Sequence, residues 1–315
     1  MNAETPWFDG PEKKLDIFLF SPAEELLAVS DEKWRRVVKA SGSRIVSKIS
    51  SHGLNAFILS ESSLFIWPDR IMMMTCGQTT LANALPGILA IVGKQNVMRV
   101  LYERKTFFSS AFSHVPFENE TAPIKNLFPG QINRCGPAGD DHLHLFISSH
   151  AQKTTRPEAA LQLFMHELKP SLVKIFSSAN GKNGELVANR LGLSTLYPFH
   201  ITDSYLFSPC GFSMNGILNG HYSAIHVTPQ TKGSYASFET DMIENDFTEK
   251  VKQLVSIFRP GKLSLVLKTG PNDYCHGLHS EVKIDLKGCR LTENVLHRLN
   301  CGSVVSFLNY RCGSI

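Results

Sequence analysis

The chain has 315 residues, 43% of them hydrophobic and 19% charged, with a net charge of +4. That length can bury a substantial core in one large domain or two small ones. So mild a charge, without a Lys/Arg cluster, excludes a phosphate-tracking nucleic-acid binder, and the longest apolar stretch, at 81–92, is too short for a bilayer and is broken by Asn83 and Pro86.

In chain order, period-two or continuous apolar runs predict strands over 15–20, 45–49, 56–59, 64–67 and 71–74. Pro68-Asp69-Arg70 is a tight-turn signal that joins the last two as a hairpin. Further strands are expected at 98–102, 142–147, 223–227, 235–239, 263–267 and 304–309, and helices at 31–39, 80–92, 157–168, 184–191 and 246–258. Residues 104–140 and 269–290, rich in turn formers, read as long surface loops. Hairpin, helix, strand occurs at 63–103 and again at 222–268, which points to a duplicated α/β unit. Strands meeting as hairpins imply an α+β fold of mainly antiparallel sheets with helices on their outer faces.

The seven cysteines, at 76, 135, 210, 275, 289, 301 and 312, are odd in number and form no CxxC pair. Neither a disulfide framework nor a metal site is expected, and a reducing, cytoplasmic setting fits. Residues 1–20 lack the basic start and apolar core of a signal peptide.

Four short segments carry side chains with chemical potential. Leu59-Ser60-Glu61-Ser62-Ser63 is a polar island between two strand-like runs. By itself it reads as a hairpin loop; its chemical reading is a peptide bond open to attack from the next residue. Ser62 Oγ would attack the Glu61 carbonyl to turn the amide into an ester. Elimination across Cα–Cβ of Ser62 then frees the upstream chain, and the dehydroalanine left behind becomes a pyruvoyl group. Thr75-Cys76-Gly77 stands where a strand ends before a helix, so Cys76 is either a packed thiol or a proton carrier. Ser213, within Ser208-Pro209-Cys210-Gly211-Phe212-Ser213-Met214-Asn215-Gly216, precedes His226 by thirteen residues. The two would form an acid–base pair if their strands return side by side; otherwise His226 is an ordinary core histidine. Phe8-Asp9-Gly10-Pro11-Glu12 sets an aromatic beside two carboxylates, as frayed acidic termini also do.

Together these segments resemble the eukaryotic-type S-adenosylmethionine decarboxylases, which are pyruvoyl-dependent proenzymes. The resemblance runs from Phe8 to about Pro260 and also rests on Ile225-His226-Val227-Thr228-Pro229 and Ser234-Tyr235-Ala236-Ser237-Phe238-Glu239-Thr240. It implies a four-layer αββα sandwich and a single domain over 1–315, self-cleaved into a small chain 1–61 and a large chain 62–315. It further implies that Glu61-Ser62 is the cleavage site and that Ser62 becomes the pyruvoyl cofactor, with no pyridoxal phosphate and no metal. Cys76 would reprotonate the substrate carbon, and Ser213 and His226 would assist self-cleavage. Asp9 and Glu12 match acidic active-site positions, Phe8 and Phe207 match an aromatic pair that holds the substrate adenine, and Glu61 is expected among the substrate-binding residues. The implied activity supplies the aminopropyl donor for spermidine and spermine.

Two positions depart from the family pattern. Gln230 replaces a glutamate that binds the ribose hydroxyls, which motivates an alternative: a pyruvoyl decarboxylase shifted to another amino acid, such as ornithine or arginine. Some relatives are stimulated by putrescine; Asp16, Asp141 and Glu239 match its carboxylates, but Met74 stands where animal enzymes carry lysine. An inactive regulatory homologue is a third reading, opposed by the presence of Ser62, Cys76, Ser213 and His226. Both monomers and homodimers occur in the family, so the resemblance leaves oligomeric state open.

Overall fold

Polar and apolar residues alternate along the first strand, and this alternation sets the layering. Glu12, Lys14 and Asp16 face one way, while Leu15, Ile17 and Leu19 join an apolar cluster on the other face. In a computed structural model the described residues are 11–60, 62–77, 79–107, 115–137, 139–148, 158–176, 184–196, 201–230, 233–243, 247–271 and 274–313.

The first sheet comprises β1 (Glu12–Leu19), β2 (Ile45–Ser51), β3 (Leu54–Leu59), β4 (Ser62–Ile66), β5 (Arg70–Thr75), β6 (Val97–Thr106), β7 (Gly130–Cys135) and β8 (His142–Ser148). Its spatial order is β2-β3-β4-β5-β1-β6-β8-β7. The second comprises β9 (Ala160–His166), β10 (Ile201–Leu206), β11 (Phe212–Leu218), β12 (His221–Thr228), β13 (Tyr235–Thr240), β14 (Lys262–Thr269), β15 (Cys289–Arg298) and β16 (Val304–Cys312). Its order, β10-β11-β12-β13-β9-β14-β16-β15, is that of the first sheet with every number advanced by eight. The duplication read from 63–103 and 222–268 thus extends over the whole of both sheets. All pairings are antiparallel, as expected.

Six α-helices are described: α1 (Asp31–Ala40), α2 (Leu85–Val92), α3 (Phe117–Lys125), α4 (Pro170–Phe176), α5 (Gly184–Arg190) and α6 (Phe247–Phe258). In α1, Trp34, Val37 and Val38 recur at helical spacing and are buried, while Asp31 and Glu32 at its start and Lys39 at its end complement the helix dipole. Outer-face clusters seat α1, α2 and α3 on the first sheet and α4, α5 and α6 on the second, giving an αββα sandwich. Between the sheets lie two apolar clusters, one around Phe65, Trp67 and Tyr222, the other around Phe164, Val266 and Phe307. The central strands β1 and β9 run between them and carry the buried polar residues Lys14, Asp16 and Gln162.

Three expectations are corrected. Residues 157–168 do not form a helix: their described part contains β9, at the centre of the second sheet. A strand covered on both faces shows no period-two contrast, so its apolar run mimics a helical one. The loop expected over 104–140 contains α3 and β7, and that over 269–290 contains a 3-10 turn, Tyr274–Ser280, and the start of β15. Cys289 and Cys312, opposite one another on β15 and β16, are joined as a disulfide, which the cysteine pattern did not suggest. No described helix is long and apolar enough to cross a membrane.

Candidate active site

Ser62 opens β4 at the end of the sandwich where β1 begins and β5 ends. It is buried, and its φ of 152° is one that side-chain-bearing residues rarely adopt. Its side chain meets β12 of the other sheet: Oγ lies 3.0 Å from Nε2 and 3.2 Å from Nδ1 of His226. Ser63 Oγ is 2.9 Å from the same Nε2 and donates to Asn215 Oδ1 at 2.6 Å. A hydroxyl has one proton to give. Ser63 is thus held between Asn215 and His226, while Ser62 Oγ is within hydrogen-bond reach of both ring nitrogens. Burial pushes the His226 imidazolium down to about 3, so the ring is neutral at ordinary pH. Ser213 lies directly opposite His226 in the β11–β12 register, which brings the predicted pair together.

On the neighbouring strand, Cys76 follows Thr75, the ladder partner of Ser62, and is half-buried. Thr79 Oγ1 is hydrogen-bonded to Thr75 Oγ1 at 2.5 Å and lies 3.3 Å from the Cys76 carbonyl oxygen, closing the turn beneath it. Glu12 begins β1, one residue before Lys13, whose ladder partner is Thr75. Tyr235 of β13 donates its phenol proton to Glu12 Oε2 at 2.7 Å, joining the two sheets. Burial raises the Glu12 carboxyl to about 7 despite the opposing pull of the Ser237 and Tyr235 hydroxyls. Phe207 stacks edge-on against Tyr205 at 4.8 Å, just after β10. Gln230 is half-buried just beyond β12, its backbone N–H bonded to the Thr228 carbonyl. Phe8, Asp9 and Glu61 lie outside the described residues. Sequence reasoning missed Ser63, Asn215 and Tyr235; all three sit inside the quoted motifs, but only the stacking of the sheets gives them partners.

Asp16 and Glu239 share one buried polar layer, both acting on Lys14, whereas Asp141 lies apart from them. Asp16 holds Arg70 through two hydrogen bonds of 2.7 Å each. Glu239 accepts from Lys14 at 2.7 Å, from Gln162 at 2.9 Å, and from Tyr222. Lys268 completes the group by donating to Glu103 at 2.9 Å. Burial alone would lower the Lys14 ammonium, but Glu103 and Glu239 outweigh it and hold it above its ordinary value. Burial would likewise raise Glu103, which Lys14 and Lys268 instead keep well below the usual carboxylate range. Asp141 belongs elsewhere, with Lys105 at 3.8 Å. Among the described residues no cluster of three or more His, Cys, Asp or Glu side chains is arranged to hold a metal ion.

A family model described as adenosylmethionine decarboxylase matches residues 5–311. The S-adenosylmethionine decarboxylase proenzyme of Dictyostelium discoideum is 30% identical, over 96% of this chain and 86% of that protein. The proenzyme of the same name from Onchocerca volvulus is 32% identical, over 84% of this chain and 77% of that one. Among solved structures, the Trypanosoma brucei AdoMetDC-delta26 monomer aligns with a TM-score of 0.64 at 22% identity, covering 80% of this chain and 99% of that one. That likeness speaks to the fold.

Proposed function

The chain belongs to the adenosylmethionine decarboxylase family, and from that premise we propose that it decarboxylates S-adenosylmethionine after cutting itself between Glu61 and Ser62. The observation that carries the proposal is the buried contact between Ser62 Oγ and a neutral His226. Ser62 is the one residue that can supply both the attacking oxygen and, after acyl transfer, the leaving oxygen on Cβ.

His226 is the base of the elimination: it receives the Cα proton of Ser62 as the ester oxygen leaves. Ser63 and Asn215 hold the ring in place for it. The positive φ at Ser62 favours the cleavage, because a strained peptide unit loses strain when its bond is broken. Ser62, buried and touching no charged group in these contacts, suits conversion to a pyruvoyl group. That group supplies a carbonyl which condenses with the substrate amine and accepts the electrons released as carbon dioxide leaves. Cys76 then gives its proton to the substrate carbon. Phe207 stacks on the adenine, worth roughly 1–3 kcal/mol, and Gln230 reaches the sugar hydroxyls. The single domain 1–315 would thus be processed to chains of 1–61 and 62–315, feeding spermidine and spermine synthesis.

Lys14, Lys268 and Arg70 already balance Glu103, Glu239 and Asp16, so we propose that turnover needs no putrescine. Gln230 favours a second reading, decarboxylation of a different amino acid such as ornithine or arginine.

Mass spectrometry of the purified protein tests the cleavage. A small fragment ending at Glu61 is expected, with a large one whose first residue reacts with phenylhydrazine; an intact, unreactive chain would refute it. Carbon dioxide release from S-adenosylmethionine, ornithine and arginine separates the two substrate readings.

A further inference from the structure

The turn that carries Cys76 is braced from behind by a buried ammonium. Lys13 shares the helix-covered face of β1 with Leu15 and Ile17, directly opposite Thr75 of β5. There it donates to the Thr79 carbonyl at 2.8 Å and pairs with Glu120 of α3 at 3.1 Å. Glu120 is itself held, by the Tyr102 phenol at 2.7 Å and by Arg104 at 2.9 Å. The Thr79 hydroxyl in turn meets Thr75 Oγ1 at 2.5 Å and lies 3.3 Å from the Cys76 carbonyl oxygen. Gly77, at φ 75°, has no side chain with which to brace the turn from within. Lys13, Thr75 and Thr79 are all buried. Taking an ammonium and a carboxylate out of water is costly, and apolar side chains of similar volume would serve stability as well. The ion pair therefore calls for a reason other than folding.

We propose, resting on the function proposed above, that Lys13 is a positioning residue: anchored on Glu120, it holds the turn so that Cys76 protonates the substrate carbon and not the carbon that was Ser62 Cα. When the bond to carbon dioxide breaks, its electron pair is shared between those two carbons through the amine nitrogen that joins them. If the thiol S–H breaks as a C–H bond forms at the substrate carbon, hydrolysis releases the decarboxylated amine and restores the ketone. If the new C–H bond forms at the other carbon, hydrolysis releases an aldehyde, and residue 62 keeps the amine nitrogen as an alanine. Water supplies the oxygen in both cases, and the thiolate regains its proton from solvent. The second outcome ends catalysis for that molecule. The two carbons are separated by a single nitrogen, so the choice between them depends on where the sulfur stands. Displacing a reacting group by about 1 Å can cost about 10²-fold in rate. A brace that runs from α3 through Lys13 to the Thr79 carbonyl, and from the Thr79 hydroxyl to Thr75 and the Cys76 carbonyl, limits that displacement.

The test incubates the processed enzyme with S-adenosylmethionine and uses mass spectrometry of the first peptide of the large chain to tell alanine from pyruvoyl at residue 62. Lys13→Met should complete at least about 10-fold fewer turnovers per alanine formed than the wild type, with KM unchanged. Amide hydrogen exchange at Cys76, Gly77 and Thr79 should be faster in the same variant by a similar factor. Thr79→Val, which keeps the side-chain shape and removes the hydroxyl, should shift both readouts in the same direction, and it carries the test if Lys13→Met does not fold. A lower kcat with the wild-type number of turnovers per alanine would make Lys13 a support of the fold alone and overturn the proposal. Wild-type values of both readouts in the folded variants overturn it as well. Failure of the wild type to release carbon dioxide from S-adenosylmethionine would instead refute the functional proposal.

Discussion

Lys14 stands directly opposite Met74 across the antiparallel ladder of β1 and β5. The thioether faces the same inward layer as the ammonium one strand over, which lies between Glu103 and Glu239.

Removing that ammonium should therefore expose the carboxylates. Lys14→Met leaves Glu103 and Glu239 short of a cation in a dry layer, at a cost of about 3–5 kcal/mol. Thermal melts should show the loss, and millimolar putrescine should recover part of it for the variant while leaving the wild-type melt and carbon dioxide release unchanged. Stimulation of the wild type by putrescine would contradict the internal-cation account.

His226 sets the pH behaviour of self-cleavage. Its folded-state value of about 3 means that the base is neutral throughout the range from pH 8 to pH 5. The cleavage rate of uncut precursor, read on gels, should stay level over that range. His226→Ala should stop at the ester, so that hydroxylamine cuts the chain at Glu61.

The same burial has a stability signature. An unfolded histidine takes up its proton near pH 6.5, while folded His226 waits until about 3. The unfolded chain binds more protons in that window. The contribution of a neutral His226 is complete above about pH 6.5 and is lost as pH falls through 3, a change on the order of several kcal/mol. Denaturant midpoints of His226→Phe should be less acid-sensitive than those of the wild type.

Gln230→Glu should lower the KM for S-adenosylmethionine, because a carboxylate accepts from both sugar hydroxyls where an amide accepts from one. A charge-assisted bond is worth about 1–3 kcal/mol. Initial-rate kinetics decide this, and a KM that stays level or rises removes Gln230 from the sugar site.

Reduction of Cys289–Cys312 should destabilise the protein. The bridge closes a separation of 23 residues, for which loop-closure entropy gives about 3 kcal/mol. Melts with and without dithiothreitol measure it, with Cys312→Ser as the control that reductant should not affect.

The hairpin of β4 and β5 was legible because Pro68-Asp69-Arg70 marks its turn. The middle of the second sheet was not. In β9, Leu161, Leu163, Phe164 and Met165 are all buried, so no polar face marks the strand. β11 carries Asn215 and Gly216, which depress strand signals, yet it delivers both Ser213 and Asn215 to the site. Ser62, Cys76, Ser213 and His226 were found through motifs. Lys14 and Tyr235 were not singled out, because their importance comes from residues 225 and 223 positions away in the chain. The disulfide escaped for another reason: the turn-forming composition of 269–290 hides the start of β15, so nothing in the sequence places Cys289 beside Cys312.

The location of β1 determines what the cut can accomplish. This eight-residue strand lies upstream of Ser62 yet is bonded on both edges by β5 and β6, which lie downstream, while β3 is bonded to β4 across the break itself. Severing the chain before Ser62 would release no peptide. The shorter product would stay as an inlay in the longer one, bearing Glu12 and Lys14, so the mature enzyme would be a pair of chains that dilution cannot part and only unfolding can.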